Sequence, residues 1–182
     1  AGDSYIRHIL SADISQFVAG NEQALVTDDF AHAAECDAVL ICVPTPLSEH
    51  RDPDLSYIVG TGERLAPYLK RGQCIILEST TFPGTTEDEL IPILEGNSEL
   101  IAGQDFLVAY SPEREDPNNT NFSTSTIPKV VGGITGESLA VARSLYDAVT
   151  CETVPVSDCR TAEATKLMEN IFRSVNIALV NE

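Results

Sequence analysis

Two almost wholly apolar segments constrain the fold more than any other feature of the chain. They read AVLICV at 38–43 and CIILES at 74–79, and neither alternates between apolar and polar residues. A strand of this kind is buried on both faces, as happens when helices cover both sides of a parallel sheet. Amphipathic stretches separate the apolar runs along the chain. The sequence therefore predicts an α/β fold with a doubly wound parallel sheet.

Further strands and helices follow from the same pattern. The predicted strands are short aliphatic runs, at 24–26, 38–43, 74–79, 106–111, 129–133 and 152–156. The predicted helices follow residues that favour helix N-caps: Asp54 before 55–70, Thr85 or Thr86 before 87–96, and Thr135 before 136–149. The segment SPEREDPNNTNFSTSTIP at 111–128 shows neither the apolar run of a buried strand nor the apolar spacing of an amphipathic helix. Irregular segments of that length in compact domains are usually functional or disordered.

Composition excludes several classes of partner. The chain has 28 acidic and 11 basic residues and a net charge of -17. Such a surface repels nucleic acid and anionic lipid at long range, so we expect neither nucleic acid nor a membrane as a partner. No apolar run approaches the roughly 20 residues that a membrane-spanning helix needs. Five scattered cysteines without a CxxC pair predict a reducing, cytoplasmic location.

Polar residues follow three of the predicted strands, where ligands bind in open α/β sheets. Pro44-Thr45-Pro46 follows the first apolar run, STTFPGTT at 79–86 follows the second, and SPERED at 111–116 follows FLVAY. Threonine hydroxyls in the first two segments could donate to a ribose or a nicotinamide. The free amides at the start of the helix near 85 could bind negative charge. A rigid turn and an exposed charged loop are the alternatives.

A predicted helix carries three polar residues along one stripe. In TAEATKLMENIFRSVN at 161–176, Lys166, Asn170 and Arg173 occupy positions i, i+4 and i+7. The helix can therefore present all three to one cleft while its apolar residues pack behind. A cation beside a developing alkoxide stabilises the transition state, which makes Lys166 a catalytic candidate. A solvated polar face is the alternative.

Four ordered blocks resemble one known family. Together they resemble the nucleotide-sugar 6-dehydrogenases, the family of UDP-glucose and GDP-mannose dehydrogenases. The blocks are AVLICVPTPL, ILESTTFPGTTE, VAYSPERED and AEATKLMENIFRSVNIALVNE. Within this family, the chain looks most like the branch that acts on UDP-N-acetylglucosamine or UDP-N-acetylmannosamine. The segments that carry this likeness are GDSYIRHI, SPER and KLMENIFR. The resemblance implies an incomplete Rossmann-like doubly wound parallel sheet, followed by the start of a long central helix.

The resemblance also implies an enzymatic reaction. Such enzymes oxidise the C6 alcohol of a UDP-sugar to a carboxylate in two steps, with two NAD molecules and a cysteine that carries a thiohemiacetal and then a thioester. For this branch the substrate is a UDP-N-acetylhexosamine and the product serves surface polysaccharide biosynthesis. No metal is implied.

Cofactor contacts are carried over from the family residue by residue. Pro44 and Thr45 in VPTP and Thr80 in EST match positions that contact NAD. Glu113 in SPE matches a residue near the nicotinamide and the hydrolytic water, so the resemblance gives it both a cofactor-binding and a catalytic role.

Substrate contacts follow in the same way. Arg114 and Glu115 match positions that face the substrate. Lys166, Asn170 and Arg173 match the family helix whose lysine stabilises or shuttles charge at the reacting oxygen and whose neighbours bind substrate. The resemblance therefore makes Lys166 and Asn170 catalytic residues and all five of these residues substrate contacts.

Two family features are missing from the sequence. No GxGxxG turn with a later acidic residue is present, and no cysteine lies in the glycine-rich, lysine-containing context of the family nucleophile. We expect residues 1–157 to be the remainder of the NAD-binding domain and 158–182 the start of the central helical, dimerisation domain. We expect the carboxyl-terminal UDP-binding domain to be absent and the chain alone to be inactive. Cys159 is the one cysteine that we would test as reactive.

Two other readings stay open at this point. A β-hydroxyacid dehydrogenase shares a Rossmann domain followed by a helix with lysine and asparagine, but it transfers a single hydride and uses no cysteine. A non-catalytic binding or assembly module would use the acidic surface and the long helix for protein contacts. In the resembled family that helix also helps to form a homodimer, or a higher homo-oligomer, of the full-length protein.

Overall fold

The computed structural model describes residues 9–20, 24–47, 52–113 and 127–182. Within them the strands are Ala38–Ile41 (β1), Cys74–Leu77 (β2), Leu107–Tyr110 (β3), Lys129–Gly133 (β4) and Thr153–Pro155 (β5). The helices are Ser11–Gly20 (α1), Ser56–Leu65 (α2), Ile91–Ser98 (α3), Gly136–Asp147 (α4) and Cys159–Asn181 (α5). Shorter helical turns span Phe30–Glu35 and Ala66–Tyr68 in 3-10 geometry and Thr85–Leu90 in π geometry. None of the helices in these ranges is long and apolar enough to cross a bilayer.

The strands lie in the sheet in the order of the chain. β1, β2 and β3 run parallel, β4 runs antiparallel to β3, and β5 runs parallel to β4. The Rossmann-like α/β fold is confirmed, but the prediction of a wholly parallel sheet is wrong for β4 and β5. A parallel neighbour needs a crossover, usually through a helix, whereas an antiparallel neighbour can follow a loop. The sequence of 111–128 lacks a helical period, so it indicates no crossover helix for a parallel β4.

Helices cover both faces of the sheet, as the apolar runs predict. Along β2, Ile75 and Leu77 pack on one face in a cluster that includes residues of α2, α3 and α5. Cys74 and Ile76 pack on the other face with residues of α4. All four residues are buried, which explains why this strand has no polar alternation.

A glycine pair in β4 lets two helices approach the sheet closely. A Cβ atom on Gly132 would lie 2.1 Å from the carbonyl oxygen of Asp158, just before α5. A Cβ atom on Gly133 would lie 2.4 Å from the amide nitrogen of Leu139 in α4. Any larger residue at either position would therefore push a helix away from the sheet. This contact fixes the first turn of α5, which leads into the candidate site.

Local predictions at the element ends are confirmed in part. The Thr135 hydroxyl accepts a hydrogen bond from the amide of Ser138 and caps α4, as predicted. The Asp54 carboxylate accepts one from the amide of Ser56, but Asp54 lies one position before the N-cap of α2, which is Leu55. The π turn follows Gly84, whose φ of 104° is left-handed, and Thr85 lies inside the turn instead of capping it. The strand predicted at 24–26 is not formed, since a run of three residues carries too little pattern to specify a strand, and Val26 is 99% exposed.

Candidate active site at the carboxyl ends of the strands

The segments after β1 and β2 meet at one edge of the sheet. The hydroxyl of half-buried Thr45 donates a hydrogen bond of 2.7 Å to the carbonyl of Thr80. The amide of Val43 donates one of 2.8 Å to the hydroxyl of Ser79. Pro44 lies between these contacts and is exposed. The structure therefore brings the three residues matched to cofactor contacts, Pro44, Thr45 and Thr80, into one rigid surface.

The segment after β3 meets helix α5. The ammonium group of Lys166 donates a hydrogen bond of 2.5 Å to the backbone carbonyl of Glu113. The buried Ser111 hydroxyl donates to the carbonyl of Val130 at 2.8 Å and ties the same segment to β4. Lys166 and Glu113 are both half-buried, so a polar pair lies at the sheet edge where α5 crosses it. Arg114 and Glu115 lie outside the described residues.

The far half of α5 departs from the prediction. Asn170 lies one turn beyond Lys166 and is half-buried, whereas Arg173 lies on the exposed end of the helix. The apolar residues Leu167, Ile171 and Phe172 do not pack behind this face as expected, and Phe172 is 72% exposed. The buried residues of α5 are Cys159, Ala162 and Glu163, all in its first two turns. The helix therefore runs past the part of the sheet that could cover it. Of the polar stripe, Lys166 contacts the segment after β3, Asn170 is half-buried and Arg173 is exposed.

A residue of α5 that the sequence analysis missed occupies the predicted anion site. The fully buried Glu163 carboxylate accepts hydrogen bonds from the amides of Gly84 and Thr86, at 2.5 and 2.9 Å, and from the Thr86 hydroxyl at 2.7 Å. Burial raises the pKa of Glu163, and these hydrogen bonds offset only part of that effect. The amides that were expected to be free for a ligand are therefore taken by a side chain of the chain itself.

An ion-pair cluster holds the same two elements together at the surface. The Arg160 guanidinium lies 3.1 Å from Glu87 and 2.6 Å from Asp88, which both belong to the π turn. Glu163 and Arg160 thus join the first two turns of α5 to the segment that carries Thr80. No local sequence signal distinguishes Glu163, because its partners lie far away along the chain.

A second buried polar cluster lies beneath the sheet edge. The Lys129 ammonium is 3.2 Å from a carboxylate oxygen of Glu78, to which the Tyr146 hydroxyl also donates a hydrogen bond. The Cys42 thiol donates to the second oxygen of Glu78 at 3.4 Å. Burial, followed by the negative charge of Glu78, raises the pKa of Cys42 to about 12 and also raises the pKa of Tyr146. The sequence offers one signal for this cluster: Lys129 begins an otherwise apolar strand.

The cysteines of the described residues do not supply an activated thiol near this site. Cys159 is buried with its sulfur 3.5 Å from the carbonyl of Gly132, and burial raises its pKa. Burial raises the pKa of Cys74 to about 11. A nucleophilic cysteine needs access to its substrate and a lowered pKa, and buried Cys159, the one cysteine singled out for a test of reactivity, has neither.

Comparison with known proteins decides the family. The model of the UDP-glucose/GDP-mannose dehydrogenase family, NAD binding domain, matches residues 2–150. The chain belongs to the UDP-glucose/GDP-mannose dehydrogenase family. It is 38% identical over 174 residues to the UDP-N-acetyl-D-glucosamine 6-dehydrogenase of Pseudomonas aeruginosa, covering 95% of this chain and 41% of that protein.

Solved structures of the family share the fold. The UDP-D-ManNAc dehydrogenase of Pyrococcus horikoshii superposes with a TM-score of 0.88 at 36% identity, over 99% of this chain and 43% of that one. The NDP-N-acetyl-D-galactosaminuronic acid dehydrogenase of Methanosarcina mazei Go1 superposes with a TM-score of 0.84 at 36% identity, over 94% of this chain and 37% of that one. The chain therefore spans less than half the length of these family members.

NAD is the cofactor of this dehydrogenase domain, and the described residues fit one part of it. The strand-end surface of Thr45 and Thr80 presents a hydroxyl and an exposed loop at the place where open α/β sheets bind nucleotides. The amides of Gly84 and Thr86 do not fit a pyrophosphate, because Glu163 already occupies them. The described residues thus offer the cofactor the Thr45–Thr80 surface and not the amides of Gly84 and Thr86.

Proposed function

We propose that this chain is part of an NAD-dependent UDP-N-acetylhexosamine 6-dehydrogenase that makes a uronate for surface polysaccharide biosynthesis. The observation that carries the proposal is the hydrogen bond from Lys166 to the Glu113 carbonyl, at the same end of the parallel strands as the Thr45–Thr80 contact. It joins the polar helix stripe to the segment after β3, at the end of the sheet where this fold binds nucleotides. The names of the Pseudomonas aeruginosa and Pyrococcus horikoshii relatives support an N-acetylhexosamine substrate.

Each described residue has a separate task in this proposal. The Lys166 ammonium stabilises the negative charge that develops on the C6 oxygen of the sugar. Asn170, one turn along α5, orients the substrate by hydrogen bonding, and the Glu113 carboxylate positions the water that hydrolyses the second-step intermediate. Thr45, Thr80 and Pro44 shape the surface for the nicotinamide. NAD, when bound, accepts the hydride in each of the two oxidation steps.

The remaining assignments by homology belong to the same proposal. Arg114, Glu115 and Arg173 contact the substrate. Residues 1–157 form part of the NAD-binding domain, and 158–182 begin a central helical domain. Five free thiols suit a reducing, cytoplasmic location.

We also propose that the exposed apolar half of α5 contacts a second copy of the chain. Met168, Phe172, Val175 and Leu179 are exposed at spacings of three and four, which places them along one side of the helix. Exposed apolar stripes of this kind mark interaction surfaces. A homodimer through α5 would bury the stripe.

The stoichiometry of NADH production tests the proposed function. We expect the complete protein to form two NADH per UDP-N-acetylglucosamine or UDP-N-acetylmannosamine consumed, and Lys166→Ala to lower kcat by about 100-fold or more. The matched control is Lys70→Ala, since Lys70 pairs with exposed Asp37 far from the strand ends. One NADH per substrate would contradict the proposal and favour the single-hydride reaction of a β-hydroxyacid dehydrogenase. Tight self-association without nucleotide-sugar binding would favour an assembly module.

A further inference from the structure

Lys129 lies between the buried polar cluster and the backbone of the candidate site. Its side chain is almost fully buried, with 4% of the residue exposed. Besides Glu78 at 3.2 Å, its ammonium lies 3.4 Å from the carbonyl of Pro112 and 4.0 Å from the carboxylate of Glu113. One cation therefore contacts a buried carboxylate on one side and the Pro112–Glu113 segment on the other.

The antiparallel pairing of β3 and β4 explains how a residue so distant in sequence reaches this segment. Tyr110 pairs with Gly132 at the end of β3. Continuing that register, the chain leaves β3 through Pro112 and Glu113 while Lys129 begins β4 beside it. If β4 ran parallel to β3, its first residue would lie at the amino-terminal ends of β1, β2 and β3. The reversed strand thus delivers Lys129 to the carboxyl ends of β1, β2 and β3.

The burial of Lys129 indicates a specific role for its charge. Burying an ion pair gains little stability over apolar side chains of the same volume, because desolvation of both charges opposes their attraction. Here the pair is held in one geometry: Tyr146 donates a hydrogen bond to Glu78, and its ring centroid lies 4.8 Å from the Lys129 ammonium. An arrangement with fixed partners on every side restrains the backbone that it contacts.

We propose that Lys129 is a positioning residue for the catalytic segment. By binding the Pro112 carbonyl and the Glu113 carboxylate, it fixes the turn so that the Glu113 carbonyl accepts from Lys166. Lys129 acts through Glu113 and contacts neither cofactor nor sugar. The catalytic meaning of this role rests on the proposed function, whereas the geometric coupling from Lys129 to Lys166 does not.

The lysine content of the chain makes the coupling measurable. Lys70, Lys129 and Lys166 are its three lysines. We would measure the acetylation rate of Lys166 by N-hydroxysuccinimidyl acetate, using peptide mass spectrometry and Lys70 as the internal reference. Lys129→Met should raise the acetylation rate at Lys166, relative to Lys70, about threefold or more. Without Lys129 the turn at Glu113 is no longer fixed, so the Glu113 carbonyl no longer holds the Lys166 amine. Lys129→Arg should restore a ratio within about twofold of the wild type, since it keeps the cation.

Two further variants keep the result decisive. Lys129→Met leaves the buried Glu78 carboxylate without its cation and could fail to fold. The double variant Glu78→Gln/Lys129→Met removes both charges. Its acetylation rate at Lys166, relative to that at Lys70, should rise as much as in Lys129→Met. Tyr146→Phe removes the hydroxyl but keeps the cation, so it should lower stability without changing the ratio. A wild-type ratio in the double variant, or an equal rise in Lys129→Arg, would overturn the proposal. No NAD or sugar enters the assay, so its failure is distinct from failure of the proposed function.

Discussion

The carboxylate of Glu163 lies 2.5 Å from the amide nitrogen of Gly84, although 79 positions separate the two residues in the chain. Through this bond and the two from Thr86, the helix that carries Lys166 is joined to the loop that carries Thr80. The negative charge at the start of the π turn comes from the chain itself. The relative position of the candidate catalytic and cofactor residues therefore depends on one buried carboxylate.

Replacing Glu163 by glutamine should lower the free energy of unfolding. The carboxylate accepts three hydrogen bonds, whereas the amide group of glutamine would turn a donor toward the Gly84 or Thr86 amide. A buried donor without an acceptor costs about 1–3 kcal/mol. Urea unfolding measures the loss, and Glu89→Gln is the matched control because Glu89 is exposed on the same π turn. Equal midpoints for the two variants would contradict this account of Glu163.

The raised pKa of Glu163 predicts the pH dependence of that loss. A raised pKa means that the folded state holds the proton more tightly than the unfolded state. The resulting stabilisation is fully present below the ordinary carboxyl pKa of about 4.3 and is lost as pH rises through the raised value. The stability advantage of the wild type over Glu163→Gln should therefore narrow as pH rises above the ordinary carboxyl pKa. Unfolding curves recorded across that rise in pH measure it, and an advantage that widens with pH would show the opposite shift.

Cys42 should react slowly with alkylating reagents despite its exposure. Its pKa is raised to about 12 by burial of the sulfur and by the charge of Glu78. An ordinary thiol has a pKa of about 8.5, so at pH 8 the thiolate fraction of Cys42 is lower by about three orders of magnitude. We expect iodoacetamide to modify exposed Cys151 at least about 100-fold faster, as quantified by peptide mass spectrometry. Comparable rates at the two sites would argue against a protonated Cys42 held by Glu78.

Two glycine-to-alanine substitutions should have opposite effects. Gly132→Ala places a Cβ 2.1 Å from the Asp158 carbonyl and must displace the start of α5, so we expect a loss of about 2 kcal/mol or more. Gly96 lies within α3 with open space around its Cβ position. Gly96→Ala should therefore gain about 0.5–1 kcal/mol. Thermal unfolding measures the stability of both variants relative to the wild type. A Gly132→Ala variant as stable as the wild type would mean that α5 does not depend on this contact.

Local sequence patterns predict the sheet and its covering helices but not the contacts that organise the site. The runs at 38–43, 74–79, 106–111 and 129–133 each contain a strand, because burial on both faces leaves a continuous apolar signal. The direction of β4 depends on a connection, not on the strand itself, and the strand pattern therefore could not give it.

The sequence analysis missed two residues of the site for the same physical reason. Glu163 looks like an ordinary surface charge in the sequence, and the one signal for Lys129 is its position at the start of an apolar strand. Both are buried because partners far along the chain satisfy them. Periodicity reports only neighbours on the same element. It likewise predicted a buried face for the apolar residues around Phe172, where no described element of the sheet provides one.

The most direct test of the central claim uses two lysines as probes. Reductive methylation with ¹³C-formaldehyde gives a dimethylamine NMR signal for each of the half-buried residues Lys70 and Lys166, whereas Lys129 is too buried to react. On addition of millimolar NAD and UDP-N-acetylglucosamine, separately and together, we predict that the Lys166 signal shifts and that the Lys70 signal stays constant. A constant Lys166 signal with both ligands present, or an equal shift at Lys70, would contradict the placement of the site at the strand ends beside α5.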